Sequence, residues 1–159
     1  MIHFALTQRR FLTYDGPMNQ ALKILLKKID HIGIAVESLQ SAVPVYTALT
    51  GHAPEHFEEV TEQKVKAAFF SVGESNIELL EATSPDSPIA KYIEKNGRGG
   101  IHHLCVAVDD IKAKIAELKS AGVVLIDESP RVGAHNKLVA FVHPKSTGGV
   151  LIELSQDQH

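Results

Sequence analysis

Apolar and polar residues alternate along several short stretches of this chain, which is the pattern of β-strands that bury one face. Two stretches rich in Ile and Val, 29–36 and 101–108, begin two similar halves of the sequence. Shorter stretches of the same type follow in each half. The strands that they predict are 55–60, 64–72 and 76–82 in the first half, and 124–127, 137–142 and 149–155 in the second.

A helix is predicted after the first strand of each half, because apolar residues there recur at helical spacing and a glycine follows. The residues are Leu39, Val43 and Tyr46 before Gly51, and Ile111, Ile115 and Leu118 before Gly122. A short helix is also expected between the halves, where Ser87 and Pro88 provide a cap and a first helical residue. The predicted order is therefore βαβββ, twice.

The two halves also match residue by residue. The segments "IDHIGIAVESLQSA" and "IHHLCVAVDDIKAK" align with His31 opposite His103, at an offset of 72 residues. The segments "NIELLE" and "LIELSQ" align Glu78 with Glu153 at an offset of 75. Two matches in the same order at nearly the same offset indicate duplication of a unit of about 70 residues. We therefore predict a domain made of two modules.

The repeat places two histidines and two glutamates at equivalent strand positions. Glu78 and Glu153 alternate with apolar residues, so each must face a polar space or carry a high cost of burial. A pseudo-twofold relation between the modules would bring these glutamates together with His31 and His103 of the first strands. Imidazole and carboxylate ligands suit Zn, Co, Mn, Ni or Fe(II), so the set predicts a divalent metal site.

His102, which precedes His103, is expected to point away from this site. Neighbouring residues of a strand point to opposite faces, and the repeat aligns His102 with Asp30 rather than with a histidine. We therefore predict that His102 has a structural role or supports a ligand from outside the site.

Composition narrows the range of partners. The 159 residues carry a formal net charge of −3, which does not favour nucleic acid or a membrane surface as a partner. No apolar run approaches the roughly 20 residues of a membrane span. Cys105 is the single cysteine, which excludes an intrachain disulfide and suits a reducing compartment. Residues 1–27 lack the pattern of a secretory signal and are interpreted as an N-terminal extension.

Three segments together resemble the vicinal oxygen chelate (glyoxalase-like) superfamily and, within it, the methylmalonyl-CoA epimerase family. They are "IDHIGIAV", "VGESNIELLEATSPDSPIAKYIEKNGRGGIHHLCVAV" and "FVHPKSTGGVLIELSQ". The resemblance covers about residues 28–156 and implies an α+β fold, in which two βαβββ modules form one domain with a curved mixed sheet around a metal site. The implied boundaries are module one at 28–83, a linker helix at 84–99 and module two at 100–156.

The resemblance also implies a reaction, the interconversion of (R)- and (S)-methylmalonyl-CoA. An enolate would form while a divalent metal ion chelates the thioester and carboxylate oxygens, with Co, Mn, Ni or Zn favoured over Mg. The implied ligands are His31, Glu78, His103 and Glu153, and Glu153 is also a candidate acid/base group. A homodimer is implied, in the cytoplasm, or in the mitochondrial matrix if the N-terminal extension is a targeting segment.

Polar residues of the second module are expected to border the coenzyme A moiety. Lys145 and Ser146 are the first candidates for contacts with its phosphates, and Arg131 or Lys137 could take part. Each of these residues equally fits an ordinary polar turn that has no role in binding.

The second acid/base group of such a reaction is left open. Several family members carry a glutamate in the third strand of the first module, where this chain has Ala67. Lys64, Lys66, a metal-bound water or a group from another loop are the alternatives. The two lysines equally suit a solvated strand face.

Other functions also fit these residues. His31, His103 and Glu153 alone are the ligand set of Fe(II) oxygen chemistry, so a dioxygenase is one alternative, although Glu78 would close a position that O₂ needs. A lactoylglutathione lyase is another member of the superfamily. A metal-free small-molecule binding protein of the same fold is the alternative from a different class.

Overall fold

The computed structural model describes residues 25–158, and its strands form one eight-stranded sheet in that part of the chain. The strands are β1 (Leu26–Val36), β2 (His56–Val60), β3 (Val65–Val72), β4 (Ser75–Ala82), β5 (Gly100–Val108), β6 (Arg131–Val132), β7 (Leu138–Val142) and β8 (Ile152–Gln156). The helices are α1 (Leu39–Thr50), α2 (Pro88–Asn96) and α3 (Ile111–Ser120). The strand order across the sheet is β2-β3-β4-β1-β5-β8-β7-β6.

The two halves of the sheet meet at β1 and β5, which pair in antiparallel orientation. β1 pairs in parallel with β4, and β5 pairs in parallel with β8. Outward from the centre, each half therefore has the first strand, the last strand and then β3 or β7. This symmetry places the first and last strands of both modules side by side. The α+β class with a curved mixed sheet, expected from the sequence, is confirmed.

Local sequence explains where α1 and α3 begin and end. Ser38 caps α1 by accepting a hydrogen bond from the backbone N–H of Gln40, and Asp110 caps α3 with its own carboxylate. Gly51 and Gly122 follow these helices with φ of 82° and 76°, the left-handed conformation that favours glycine. Both predicted helices are confirmed.

The linker helix α2 also begins where the sequence predicts. Its Ser87 cap accepts a hydrogen bond from the backbone N–H of Ile89. Ile89 packs with Phe69 and Leu80 in the core of the first half, and Ile111 of α3 is fully buried in the core of the second. Each such side chain contributes about 1.5–3 kcal/mol when it is removed from water, so each half has its own source of stability.

The second module departs from the prediction at residues 124–127, which make one isolated bridge to β7 instead of a strand. The backbone N–H groups of Ile126 and Asp127 both donate to the Phe141 carbonyl oxygen, at 2.8 and 3.3 Å. The Asp127 carboxylate accepts the hydrogen bond from the Phe141 N–H at 2.9 Å. A side chain therefore takes the place of a main-chain partner, and the regular ladder cannot continue. The short β6, which was not predicted, pairs with β7 instead.

Strand β8 begins at Ile152 rather than at residue 149. Gly149 closes a turn by donating its N–H to the Pro144 carbonyl at 2.8 Å, and its φ is 95°. The backbone is therefore still in a turn where the alternation of side chains suggested a strand.

The N-terminal extension predicted for residues 1–27 lies outside the described residues except for its last three positions. Among the residues that are described, no helix is both long and apolar enough to cross a membrane.

Candidate metal centre and its cavity

Two histidines and two glutamates meet where the central strands of the two halves lie side by side. They are His31 on β1, Glu78 on β4, His103 on β5 and Glu153 on β8. The His31 Nε2 atom lies 3.1 Å from Glu78 Oε2 and 3.4 Å from Glu153 Oε2. The His103 Nε2 atom lies 2.9 Å from Glu153 Oε2 and 3.9 Å from Glu78 Oε2, and the two Nε2 atoms are 3.0 Å apart. One atom of each side chain therefore points to a common centre.

The cluster is buried and electronegative. Glu78 is 5% exposed and Glu153 is 7% exposed. Burial alone would raise the pKa of Glu153, but hydrogen bonds with His103 and His31 outweigh it and lower that pKa to about 2. Burial would likewise lower the pKa of His31, yet its hydrogen bonds, first of all with Asp30, raise that pKa well above the usual value. The negative charge of the carboxylates thus favours a cation at this centre.

A β-bulge precedes each histidine of the cluster. The pairing of β1 with β5 skips Asp30 on one strand and His102 on the other. Because a bulge interrupts strict alternation, the extra residue can turn to the same side as its neighbour. Asp30 and His102 both line the cavity that the cluster lines. The expectation that His102 lies on the opposite face is therefore wrong, whereas its contact with His103 agrees with the expected supporting role.

The bulge residues contact the Nδ1 atoms of the two histidines. Asp30 Oδ2 lies 3.1 Å from His31 Nδ1, and His102 Nδ1 lies 2.9 Å from His103 Nδ1. Burial and the neighbouring His103 lower the pKa of His102 to about 4, so its neutral imidazole can accept the hydrogen bond that His103 donates. Asp30 also forms an ion pair with Lys137, with 2.9 Å between Asp30 Oδ1 and Lys137 Nζ. With the hydrogen bond at Nδ1 kept, each histidine could bind a cation at the common centre through Nε2, which in His31 would first give up its proton.

The donors fit a divalent transition metal. Ligand atoms of His31, His103 and Glu153 all lie within 4.8 Å of one another, and Glu78 approaches the same point. Two buried carboxylates need positive charge beside them, and either the proton on His31 or a shared cation supplies it. Two carboxylates would balance the charge of a divalent ion, which His31, Glu78, His103 and Glu153 would hold together.

A cavity of about 270 Å³ adjoins the cluster. Its wall includes Ala67 and Phe69 of β3, and Arg131, His135 and Lys137 of the second module. Apolar and basic surfaces therefore surround the buried polar cluster, which suits a ligand that has an acidic group and an apolar part.

The first candidates for the coenzyme A phosphates do not line this cavity, unlike Arg131 and Lys137. Lys145 and Ser146 are in the turn before β8 and do not line this cavity. The Ser146 hydroxyl oxygen accepts a hydrogen bond from the Val124 N–H at 3.0 Å. Their role in binding stays a prediction.

The two lysines considered as acid/base groups do not line the cavity either. Lys64 forms an ion pair with Asp86, and Lys66 lies 3.9 Å from Glu59. All four side chains are about half exposed, so the structure favours the interpretation of a solvated strand face.

A second polar cluster, formed by His56 and Glu58 of β2 and by His135 from the loop before β7, meets the cavity at His135. Sequence reasoning did not group these residues. His135 is 77 residues from Glu58 in the chain, and no repeat relates the two. Their contact depends on how the loop of the second module crosses to the first.

Comparison with known proteins supports one family. The model of the Glyoxalase/Bleomycin resistance protein/Dioxygenase superfamily matches residues 30–141. Human mitochondrial methylmalonyl-CoA epimerase is 39% identical over 131 residues, covering 82% of this chain and 74% of that protein. Ethylmalonyl-CoA/methylmalonyl-CoA epimerase of Cereibacter sphaeroides is 39% identical over 133 residues, covering 83% and 99%. A Streptomyces coelicolor methylmalonyl-CoA epimerase variant, solved in complex with 2-nitronate-propionyl-CoA, gives a TM-score of 0.79 at 37% identity, covering 84% of this chain and 96% of that one.

Proposed function

The chain belongs to the Glyoxalase/Bleomycin resistance protein/Dioxygenase superfamily and is an epimerase, and on this premise we propose that it interconverts (R)- and (S)-methylmalonyl-CoA with the help of a divalent metal ion. The observation that carries the proposal is the buried cluster of His31, Glu78, His103 and Glu153 beside an open cavity. The named epimerases among its relatives, and the Streptomyces complex with an acyl-CoA analogue, support the choice of substrate.

The reaction suits this site because the α-proton of the substrate lies between a thioester and a carboxylate. A divalent ion held by the four-residue cluster, with Co, Mn, Ni or Zn preferred for its imidazole ligands, would act as a Lewis acid toward the charge that develops on oxygen. Glu153 is ionised at neutral pH, and we assign it the removal of the α-proton from one epimer. Its burial excludes water from the transfer, which strengthens every charge interaction there.

The residues before Glu153 in the chain hold the coenzyme A moiety in this proposal. Lys145 is exposed in the turn that leads to β8, and Arg131 borders the cavity. We propose that these cations, with Ser146, contact the phosphates, where positive charge and N–H donors are favourable. We also propose a homodimer, which sedimentation at several protein concentrations tests.

The test is proton exchange in heavy water combined with metal analysis. The purified protein should contain about one divalent ion per chain and should introduce deuterium at the α-carbon of methylmalonyl-CoA. Glu153→Gln should lose about 100-fold or more of this activity, because general acid–base groups contribute 10²–10⁴-fold. Glu128→Gln is the control, since Glu128 is an exposed carboxylate paired with Lys119.

Each negative result has its own meaning. Bound metal without α-exchange would reject methylmalonyl-CoA as the substrate and would return attention to the lyase and dioxygenase chemistries of the superfamily. Activity that survives complete removal of metal would reject the role of the ion. Full activity of Glu153→Gln would reject the assigned proton transfer.

A further inference from the structure

Inversion at a carbon with one acidic proton needs two acid/base groups, one on each face of the planar enolate. Glu153 supplies one of them, and the identity of the other group is a question that rests on the proposed epimerase function. The cavity wall limits the choice. Outside the four-residue cluster, the titratable side chains that line the cavity in the described part of the chain are Asp30, His102, Arg131, His135 and Lys137.

Four of these five side chains are unsuitable as the second acid/base group. Asp30 and Lys137 form an ion pair at 2.9 Å. His102 is hydrogen-bonded to His103, with 2.9 Å between the two Nδ1 atoms. Arg131 stays protonated at physiological pH and cannot take up a proton. His135 is the group that remains.

We propose that His135, held in place by Glu58, is the acid/base group on the face of the substrate opposite Glu153. The loop that carries His135 reaches from the second module to the first, where its ring packs on Phe69 with 4.3 Å between ring centroids. His135 Nε2 lies 3.3 Å from Glu58 Oε2 and within hydrogen-bonding distance of His56 Nε2. The Glu58 carboxylate also accepts the backbone N–H of His135 at 3.2 Å. A carboxylate that orients an imidazole toward a cavity is the usual arrangement of a histidine base.

The backbone around His135 is held in an uncommon conformation. His135 and Asn136 have φ of 54° and 55°, in the left-handed region that residues other than glycine seldom adopt. The Gly133 N–H donates to the Lys137 carbonyl at 2.8 Å, and the Lys137 N–H donates to the Ala134 carbonyl at 3.1 Å, so the turn is closed on both sides. Strain of this kind persists where the surrounding structure fixes a functional side chain.

The electrostatic surroundings agree with a proton-accepting role. The groups that face His135 are Glu58, His56, Glu78 and Lys137. Burial, the largest influence, lowers the pKa of His135, and the opposing effects of Glu58 and Glu78 do not cancel it. The imidazole is therefore mostly neutral near pH 7, and Glu58 stabilises the imidazolium when it forms.

The proton transfers balance in both directions. In one direction the Glu153 carboxylate takes the α-proton, the electron pair of the C–H bond enters the enolate, and the imidazolium of His135 returns a proton on the opposite face. In the other direction neutral His135 takes the proton at Nδ1, since Nε2 is engaged by Glu58, and protonated Glu153 returns one. Each turnover removes one proton and adds one. Proton exchange with water beside the exposed His56 then returns Glu153 and His135 to their starting protonation states.

The test compares His135→Asn with wild type in the full chain loaded with Co²⁺. Asparagine tolerates the left-handed conformation, so this variant removes the base and keeps the backbone. We expect epimerisation to fall about 100-fold or more, while deuterium from heavy water still enters the one epimer that Glu153 serves. His52→Ala is the matched control, because His52 is an exposed histidine next to Phe70 as His135 is next to Phe69. It should epimerise at the wild-type rate.

Several results would overturn the role of His135. They are epimerisation by His135→Asn within about threefold of wild type, equal loss of deuterium entry into both epimers, or loss of a bound metal ion relative to His52→Ala. If His135→Asn does not fold, Glu58→Gln decides: an activity loss of about tenfold supports the pair, and an unchanged rate rejects it. A wild-type protein that neither exchanges nor epimerises rejects the proposed function itself, which distinguishes the two failures.

Discussion

Replacement of Gly33 by alanine should displace one ligand of the proposed metal centre without disturbing the rest of the fold. Gly33 lies on β1, directly opposite His103 of β5. A Cβ atom at this position would lie 2.2 Å from Cε1, 2.5 Å from Nδ1 and 2.7 Å from Nε2 of the His103 ring. The imidazole therefore occupies the space that every other side chain would need.

The size of the effect follows from these distances. Carbon atoms in contact are normally about 3.5–4.0 Å apart, so the ring must move by more than about 1 Å. Metal–ligand distances tolerate only about 0.2 Å, so His103 can no longer coordinate. Even the loss of a supporting hydrogen bond costs about 10–100-fold in metal affinity, and the loss of a ligand should exceed about 100-fold. Overpacking should reduce the free energy of unfolding by about 1–3 kcal/mol.

The assay is metal titration of the stripped variant, with the melting temperature as the measure of folding. Gly100→Ala is the matched control, because its Cβ would meet just the Tyr92 hydroxyl, at 3.3 Å, at the end of a flexible side chain. A Gly33→Ala protein that folds and binds metal with wild-type affinity would show that His103 is not a ligand, or that its ring has a second productive position.

Three further changes probe the same centre. Removal of the metal by a chelator should lower the melting temperature by about 5–10 °C, because saturation at 100 times Kd contributes about 2.7 kcal/mol, and scanning calorimetry with and without Co²⁺ measures this shift. His102→Ala should weaken metal binding about tenfold, which is much less than the loss expected for His103→Ala. The reason is that His102 contacts the His103 ring at Nδ1 and is not itself one of the four clustered residues. Equal losses of metal affinity in a titration of the two variants would contradict that order. Lys137→Met leaves the buried Asp30 carboxylate without its cation and should cost about 1–3 kcal/mol in urea unfolding, whereas the exposed Lys145→Met should cost less than about 0.5 kcal/mol.

The convergence of the four clustered side chains could be predicted from the repeat combined with the strand pattern. Alternation assigns His31 and His103 to first strands, and Glu78 and Glu153 to last strands. In a sheet built from two equivalent halves, those four strands become neighbours, as the order β4-β1-β5-β8 shows. Residues 72 and 75 positions apart thus meet without any further assumption about loops.

The support of His31 by Asp30, and the position of His102 in the cavity wall, could not be predicted from the same pattern. A period of two assigns Asp30 and His102 to the far face, and nothing in the alternation marks a bulge. The alignment of Asp30 with His102 is visible in the sequence, but its meaning requires the pairing of β1 with β5. The failure at residues 124–127 has a similar cause, since an aspartate side chain competes for a main-chain N–H that the strand needs.

Duplication of the module explains why two histidines and two glutamates meet at one centre. The residues that break the symmetry of the modules explain how this centre could serve two different proton transfers. The equivalent bulge positions hold an ionised Asp30 behind one imidazole and a neutral His102 behind the other, so the two histidines have different hydrogen-bond partners at Nδ1. The cavity wall is unequal as well, because His135 of the second module is oriented by Glu58 of the first, and no symmetric copy of this contact occurs in the described residues. An inverting reaction requires an acid/base group on each face of its intermediate, and the four repeated residues all point to one centre. The asymmetric residues, more than the four repeated ones, should therefore determine whether this centre inverts its substrate or only exchanges its proton.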